Sequence, residues 1–142
     1  MRVTVARDVG SRGLGFLAVV AALLPFALAG CGGGMDLYER DPTMSCLSGA
    51  GVRVDTRGID FIASTAGDGA LHARFPGNEV IVSFGESVDD AEATERAYRR
   101  FAPEQLRRHL GDVLKRDRNA VMRWGVSPTA EHETAVRSCL TA

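Results

Sequence analysis

The sequence predicts a single domain of the α+β class, a two-layer fold in which a mostly antiparallel sheet of about five strands has helices packed on one face. Short runs rich in β-branched and aromatic residues, separated by turn residues, fill residues 52–84 and predict an antiparallel meander. At Ser87 the period of the apolar residues changes from two to about 3.6, which is typical of a helix, and over residues 120–126 it returns to two.

Residues 41–84 predict one helix and four strands. Asp41-Pro42-Thr43 has the residue types of a helix start, and Gly49 and Gly51 end the short helix that follows. The first two strands are predicted to form a hairpin, because Arg57-Gly58 between them suggests a tight turn. The four predicted strands cover residues 52–56, 59–63, 70–75 and 79–84.

Residues 87–142 predict three helices and a fifth strand. Ser87 is a candidate N-cap for a helix in which acidic residues occupy the first turns and arginines the last, as the helix dipole favours. Pro103 interrupts that helix and starts another, and Ser127-Pro128 precedes the last one. The predicted helices cover residues 87–101, 103–118 and 127–140, and the predicted strand covers residues 120–126.

An uncharged segment of sixteen residues, from Leu14 to Ala29, lies close to the start of the chain. Three arginines and one aspartate precede it, so a basic head is followed by an apolar segment and small residues, as in a secretory signal. At about 1.5 Å per residue, a helix of this length would reach roughly 24 Å and fall short of the roughly 30 Å hydrocarbon core. A cleaved signal is therefore favoured over a permanent membrane span.

The sequence Leu28-Ala29-Gly30-Cys31 resembles the lipobox of bacterial lipoproteins. The resemblance implies that residues 1–30 are removed as a signal peptide and that Cys31 becomes the lipidated amino terminus, with a diacylglyceryl thioether and usually a third acyl chain, such as palmitate. Two or more acyl chains anchor a protein stably. Residues 32–41 contain three glycines and show no sustained period, so we expect residues 31–42 to be a flexible tether, from which Leu37 and Tyr38 could dock back on the fold, and residues 43–142 to be the domain. The location implied by the lipobox is the cell membrane, facing the exterior or the periplasm. The alternative is an ordinary secretory signal with an incidental cysteine.

Lipidation of Cys31 leaves Cys46 and Cys139 as the other two cysteines of the chain, in an exported and oxidising context. We expect them to form one structural disulfide, buried between the first and last helices, that closes a loop of about 90 residues. A metal or redox pair is the alternative, although neither residue lies in a CxxC spacing. Together with Trp124, the two cysteines give a pattern that resembles small cysteine-stapled bacterial domains, secreted or lipid-anchored, and this resemblance implies no functional residues.

The charges of the mature chain nearly balance. The whole sequence has 17 Lys and Arg against 18 Asp and Glu, and removal of residues 1–30, with three arginines and one aspartate, leaves 14 − 17 = −3. This balance argues against a general polyanion binder, and we expect no nucleic-acid partner. Residues 96–118 nevertheless hold eight basic and three acidic residues, a net charge of +5.

The basic stretch has a functional and a structural interpretation. In the functional one, its arginines form a surface that meets anionic lipid headgroups beside the anchor, another anionic envelope component or an envelope protein. In the structural one, they are the solvated faces of two amphipathic helices, partly neutralised by nearby acidic residues. The candidate basic surface consists of Arg99, Arg100, Arg107, Arg108 and Arg116.

The sequence contains no recognisable catalytic or metal-binding motif. His72, His109 and His132 are far apart, and none lies in a metal-ligand spacing. Glu131-His132-Glu133 is a weak candidate for a cation site, because neighbouring residues on a helix point in different directions. We therefore predict no catalytic residue, metal or cofactor, and a non-enzymatic binding or interaction domain near the membrane. The alternatives are a lipoprotein that binds a small molecule or ion and, third, an envelope hydrolase.

Overall fold

The structure, a computed structural model, describes residues 36–141, which form a five-stranded antiparallel sheet with helices packed against it. The predicted α+β class is confirmed. The strands are β1 (Arg53–Asp55), β2 (Ala70–Phe75), β3 (Asn78–Phe84), β4 (Leu114–Asp117) and β5 (Ala120–Trp124). The helices are α1 (Arg40–Gly49), α2 (Val88–Phe101), α3 (Glu104–Arg107), α4 (Leu110–Val113) and α5 (Ala130–Cys139), with a short 3-10 helix at Ala63–Thr65.

The strands lie in the order β1-β2-β3-β5-β4, and every neighbouring pair is antiparallel. β2 and β3 form a hairpin in which Ala73 pairs with Val80. β5 pairs with the other side of β3 and places Met122 opposite Val82. Between β3 and β4 the chain leaves the sheet for α2, α3 and α4, and β4 then pairs with the outer side of β5.

Helices cover both faces of the sheet, which corrects the expectation of two layers with all helices on one face. Side chains alternate along a strand, so Val80 and Val82 contribute to one core and Ile81 to another. The first face packs against α1 and α5 through Leu47 and Val136, and the second face packs against α2. Burial on both faces explains why the apolar residues of β3 are consecutive instead of alternating.

A disulfide joins α1 to α5 on the first face, as predicted. Cys46 and Cys139 are bonded, and their Cα atoms are 5.4 Å apart. The burial differs from the expectation, because Cys139 lies in the core whereas Cys46 is exposed. The disulfide therefore lies at the boundary between the core of the first face and solvent.

The longest helix, α2, agrees well with its prediction. The Ser87 side chain accepts a hydrogen bond from a backbone N–H in the first turn and so caps the helix. On its outer side Glu95 pairs with Arg99 one turn later, at 2.7 Å. Tyr98 is buried against the second face, whereas Phe101, the last residue of the helix, is exposed.

The predicted hairpin of residues 52–56 and 59–63 is wrong, because only the first segment forms a strand, β1, and it pairs with β2. In the second segment Ile59 and Ile62 pack against the core of the second face, whereas Phe61 between them is exposed. That spacing of three fits a helical turn better than the alternation of a strand. The segment accordingly leads into the 3-10 helix.

The predicted helix over residues 103–118 is wrong beyond its first turns. α3 and α4 are single turns, and residues 114–117 form β4. Val113 belongs to the core of the first face and Leu114 to the core of the second, so consecutive side chains alternate as they do in a strand. Gly111 weakens helix formation at this point, and pairing with β5 satisfies the backbone.

Two smaller differences lie nearer the end of the chain. Thr129 caps α5 by accepting a hydrogen bond from the backbone N–H of His132, in the place predicted for Ser127. β5 ends at Trp124, and Val126, which was predicted to extend it, is exposed.

Residues 36–39, which we call the strap, are docked on the fold, and α1 begins directly after them. The predicted tether of residues 31–42 is therefore too long. The side-chain amide of the fully buried Asn119 pairs with the backbone of Tyr38, accepting from Tyr38 N at 2.7 Å and donating to Tyr38 O at 3.0 Å. The same amide donates to Gly85 O at 2.8 Å, so all its hydrogen-bonding groups have partners.

Further contacts hold the strap against the β4–β5 turn and the end of the chain. The guanidinium of Arg118 stacks over the Tyr38 ring at 4.9 Å and donates a hydrogen bond to Asp36 O at 2.8 Å. Glu39 N donates to Thr141 O at 2.9 Å. The strap thus joins the fold at one end of the sheet.

Candidate functional site

An open cleft lies where α2 ends, between α3 and the loop that follows β1. Its volume of about 290 Å³ lies just below the range of roughly 300–1,000 Å³ that is usual for small-molecule pockets. Phe61, in the loop after β1, and Phe101, at the end of α2, both line it. Its polar groups come from Asp60, Tyr98 and Arg123. The remaining lining residues are Ile62, Ala102, Pro103 and Leu106.

Three elements bring the polar groups of the cleft together. Asp60 lies in the loop after β1, Tyr98 on the buried side of α2, and Arg123 on β5, opposite Ile81 and therefore on the second face. None of the three was predicted from the sequence to be a site residue. Two signals were present, since a buried tyrosine hydroxyl needs a partner and an arginine inside an otherwise apolar strand needs a counter-charge.

The polar groups of the cleft bind one another. The Tyr98 hydroxyl donates to the Asp60 carboxylate, with 2.9 Å to each oxygen, and Arg123 Nε donates to Asp60 Oδ2 at 3.2 Å. Asp60 Oδ1 also accepts a hydrogen bond from Ala63 N at 2.9 Å. Burial and the neighbouring Asp60 charge raise the pKa of the Tyr98 phenol far above its usual value, so it remains a donor. These hydrogen bonds are typical of a rigid structural network that lines the cleft, and less so of a pair of groups that transfers a proton.

Two large aromatic side chains beside the cleft are exposed to solvent. Phe61 is 83% exposed and Phe101 is 67% exposed. The guanidinium of Arg100 lies 5.4 Å from the centre of the Phe101 ring, a cation–π contact at the edge of the cleft. Arg107 is exposed on α3 and donates from Nε to Ala102 O at 3.1 Å, which places it beside the cleft. We call Phe61, Phe101, Arg100 and Arg107 the aromatic–basic surface.

The five arginines of the candidate basic surface do not form one group. Arg99 and Arg116 both pair with Glu95, at 2.7 and 2.9 Å, and Arg116 also lies 3.2 Å from Glu92. A hydrogen bond from Arg99 lowers the pKa of Glu95, which keeps this carboxyl charged. These two arginines therefore belong to a neutralised network between α2 and β4. Within residues 36–141, no carboxylate lies at ion-pair distance from the other three predicted members, Arg100, Arg107 and Arg108, all of which are exposed.

A second polar cluster lies at the β1 edge of the same face. Nε2 of the buried His72 is 2.9 Å from Glu79 Oε2, and its Nδ1 is 2.9 Å from Arg57 O. Arg74 pairs with Asp55, and its hydrogen bond lowers the pKa of that carboxyl. Because each group has a partner inside the cluster, we assign it a structural role at this edge.

The residues Glu131-His132-Glu133 do not converge on a common point. Glu133 pairs with Arg137 at 3.0 Å, whereas the His132 ring packs on Phe75 and Trp124, with centroids 4.8 and 6.4 Å apart. Trp124 is fully buried. Its Nε1 and His132 Nδ1 are buried without a hydrogen-bond partner among the described residues.

Two general features are absent from the described part of the chain, a metal-binding cluster and a membrane-spanning helix. Over residues 36–141, no group of three or more His, Cys, Asp or Glu side chains is arranged to hold a metal ion. No helix in this range combines the length and the apolarity that a bilayer crossing requires. Cys31, the predicted lipidation site, and the rest of residues 1–35 lie outside the described residues. Searches against protein-family models, curated proteins and solved structures give no match.

Proposed function

We propose that the protein is a lipid-anchored bacterial envelope protein whose domain binds another envelope protein, without catalysis, through the aromatic–basic surface. The lipobox-like sequence ending at Cys31 supports the anchor. The disulfide fits an oxidising compartment. The single observation that carries the binding role is the exposure of Phe61 and Phe101 beside one cleft.

Exposed aromatic residues at one place favour association. Removing a phenylalanine side chain from water contributes about 1.5–3 kcal/mol, so two of them supply enough apolar area for the centre of a small interface. Aromatic residues and arginine are also the types that dominate binding energy at protein interfaces. Arg100 and Arg107 supply positive charge next to the rings, which favours a partner with carboxylates around an apolar group.

The cleft supports a protein partner over the two alternative functions. Small-molecule sites are usually larger and more enclosed, with polar groups left available for the ligand. Here Asp60 is already bound by Tyr98, Arg123 and the backbone. A hydrolase would need a base that can take a proton, whereas this carboxylate has donors on both oxygens.

The binding role can be tested with a matched pair of variants in crosslinked envelopes. The Phe61→Ser, Phe101→Ser double variant removes both rings, and Val126→Ser removes an exposed apolar side chain, 57% exposed, that does not line the cleft. If the two rings together contribute about 2 kcal/mol or more, the double variant should recover a crosslinked partner about 30-fold less well than the parent, while Val126→Ser recovers it fully. Equal recovery by both variants, at unchanged thermal stability, would contradict the proposal.

The anchor is tested separately at Cys31. A Cys31→Ser variant should take up no acyl-chain analogue in metabolic labelling and should remain as an uncleaved precursor or be mislocalised. A Cys46→Ser, Cys139→Ser variant is the control, because it removes the other two cysteines and should still be labelled. Labelling of the Cys31→Ser variant at the level of the parent would exclude acylation at this residue.

A further inference from the structure

We propose that the strap holds the domain upright on the bilayer, so that the aromatic–basic surface faces away from the membrane and binds an acidic, partly apolar segment of a protein partner. Lipid headgroups would then not be its ligand. This inference rests on the lipid anchor and on the partner chemistry of the proposed function, and it adds the orientation of the domain.

Helix α2 separates the strap from the aromatic–basic surface. Asn119, which holds the strap, makes two hydrogen bonds of 2.8 Å with Gly85: its side-chain amide donates to Gly85 O, and its backbone carbonyl accepts from Gly85 N. Helix α2 begins three residues after Gly85, at Val88. Phe101 is the last of its fourteen residues. At 1.5 Å per residue, the helix spans about 21 Å. The strap and the surface therefore lie near opposite ends of α2.

The chain between the anchor and the strap is short. Four residues, 32–35, separate Cys31 from Asp36. Five steps of at most 3.3–3.6 Å give a reach of about 17 Å between these two residues, which is less than the length of α2. The point of attachment to the bilayer is therefore on the strap side of the domain, and the aromatic–basic surface could touch lipid only if the domain lay on its side.

The shape of the surface also favours a protein over a bilayer. The two rings stand beside a concave cleft that can receive a protruding apolar side chain, whereas a bilayer presents a broad surface. Arg100 and Arg107 beside the rings can bind carboxylates that flank the inserted side chain.

The orientation can be measured with the acylated mature protein in vesicles of phosphatidylcholine and phosphatidylglycerol that carry nitroxide groups on some headgroups. A fluorophore is attached to one new cysteine, either Glu86→Cys at the strap end or Gln105→Cys on α3 beside the cleft; both positions are exposed. With Cys31 acylated and the other two cysteines bonded, the new thiol is the only one. We expect strong loss of fluorescence at position 86 and none at position 105. An Arg118→Ala, Asn119→Ala variant removes the two side chains that hold the strap, and it should reduce the difference while circular dichroism shows that the domain is folded.

The outcomes separate the proposals. Flotation of the labelled protein with the vesicles, together with quenching at position 105 equal to or stronger than at position 86, would overturn the orientation and assign the surface to lipid. An unchanged difference in the folded Arg118→Ala, Asn119→Ala variant would overturn the role of the strap. Failure to float would overturn the lipid anchor, and this inference with it.

Discussion

Loss of the disulfide should remove a large part of the stability of the domain. The Cys46–Cys139 bond closes a loop with a sequence separation of 93 residues. In the chain-entropy model, a loop of this size restricts the unfolded chain by about 4.6 kcal/mol at 25 °C, against the roughly 5–15 kcal/mol that holds a typical domain folded. Measured values are often smaller, so we expect the Cys46→Ala, Cys139→Ala variant to lose between about 2 and 5 kcal/mol.

The expected loss can be read as a change in melting temperature. Unfolding of about 106 residues carries an entropy of roughly 0.22 kcal/mol per degree, so a loss of 4.6 kcal/mol lowers the melting temperature by about 20 °C and a loss of 2 kcal/mol by about 9 °C. Thermal unfolding followed by circular dichroism measures this change. The parent protein in a strong reductant is the control, and it should melt within a few degrees of the double variant.

Two results would refute the reasoning. A fall of less than about 4 °C, equivalent to less than about 1 kcal/mol, would mean that the bond does not restrict the unfolded chain as the loop length predicts. Free thiols at both positions in the native protein, found by non-reducing peptide mapping, would mean that the bond itself is absent. A stable protein whose pair exchanges readily with external thiols would favour the redox alternative.

Three further predictions concern single residues. Asn119→Ala should lower the free energy of unfolding by about 3 kcal/mol, because it leaves three backbone groups, Tyr38 N, Tyr38 O and Gly85 O, without the partner they have now. Hydrogen exchange at Tyr38 should accelerate, and unchanged exchange would contradict the docking of the strap. Tyr98→Phe should lower it by about 1–2 kcal/mol through loss of the hydrogen bond to Asp60, with no effect expected if that bond is absent in solution. Glu95→Gln should cost about 1 kcal/mol at neutral pH. The pKa of Glu95 is lowered in the folded state, so the stabilisation by its charge is complete above the unfolded pKa of 4.5 and disappears as the pH falls through the folded pKa. The free energies of unfolding of parent and variant, measured by chemical denaturation, should therefore become equal in acid.

The sequence predicted most reliably the elements whose signals are local and agree with each other. In α2, the Ser87 cap, the acidic first turn and the apolar period all indicate one helix, and the structure has it at residues 88–101. β2, β3 and β5 were predicted because their apolar residues are bounded by turns. The disulfide was predicted because the cysteine count left one pairing.

The sequence failed where contacts with other segments decide the structure of a segment. Residues 114–117 become β4 because β5 is available beside them, a contact that no helical period in the sequence reveals. The helices on the second face could have been inferred from Val80-Ile81-Val82, since three consecutive buried residues require cover on both sides. The cleft is assembled from a loop, a helix and a strand, so Asp60, Tyr98 and Arg123 become neighbours only in the folded chain.

The strap illustrates the same limit at the start of the domain. Residues 36–39 have no sustained period, and from sequence they resemble a flexible tether. Their partner is Asn119, 81 residues away from Tyr38, in a turn between two strands. A single buried amide thus changes the interpretation of this segment from a linker to part of the fold.

The most direct test of the proposed binding role is site-specific photocrosslinking in intact envelopes. A benzophenone-bearing phenylalanine analogue replaces Phe61, Phe101 or, as the control, Val126, all three of which are exposed. We predict that positions 61 and 101 give an adduct with the same protein and that position 126 gives none. Adducts of equal yield at position 126, or no adduct at positions 61 and 101 when the anchored protein is present at its normal level, would contradict the proposed function.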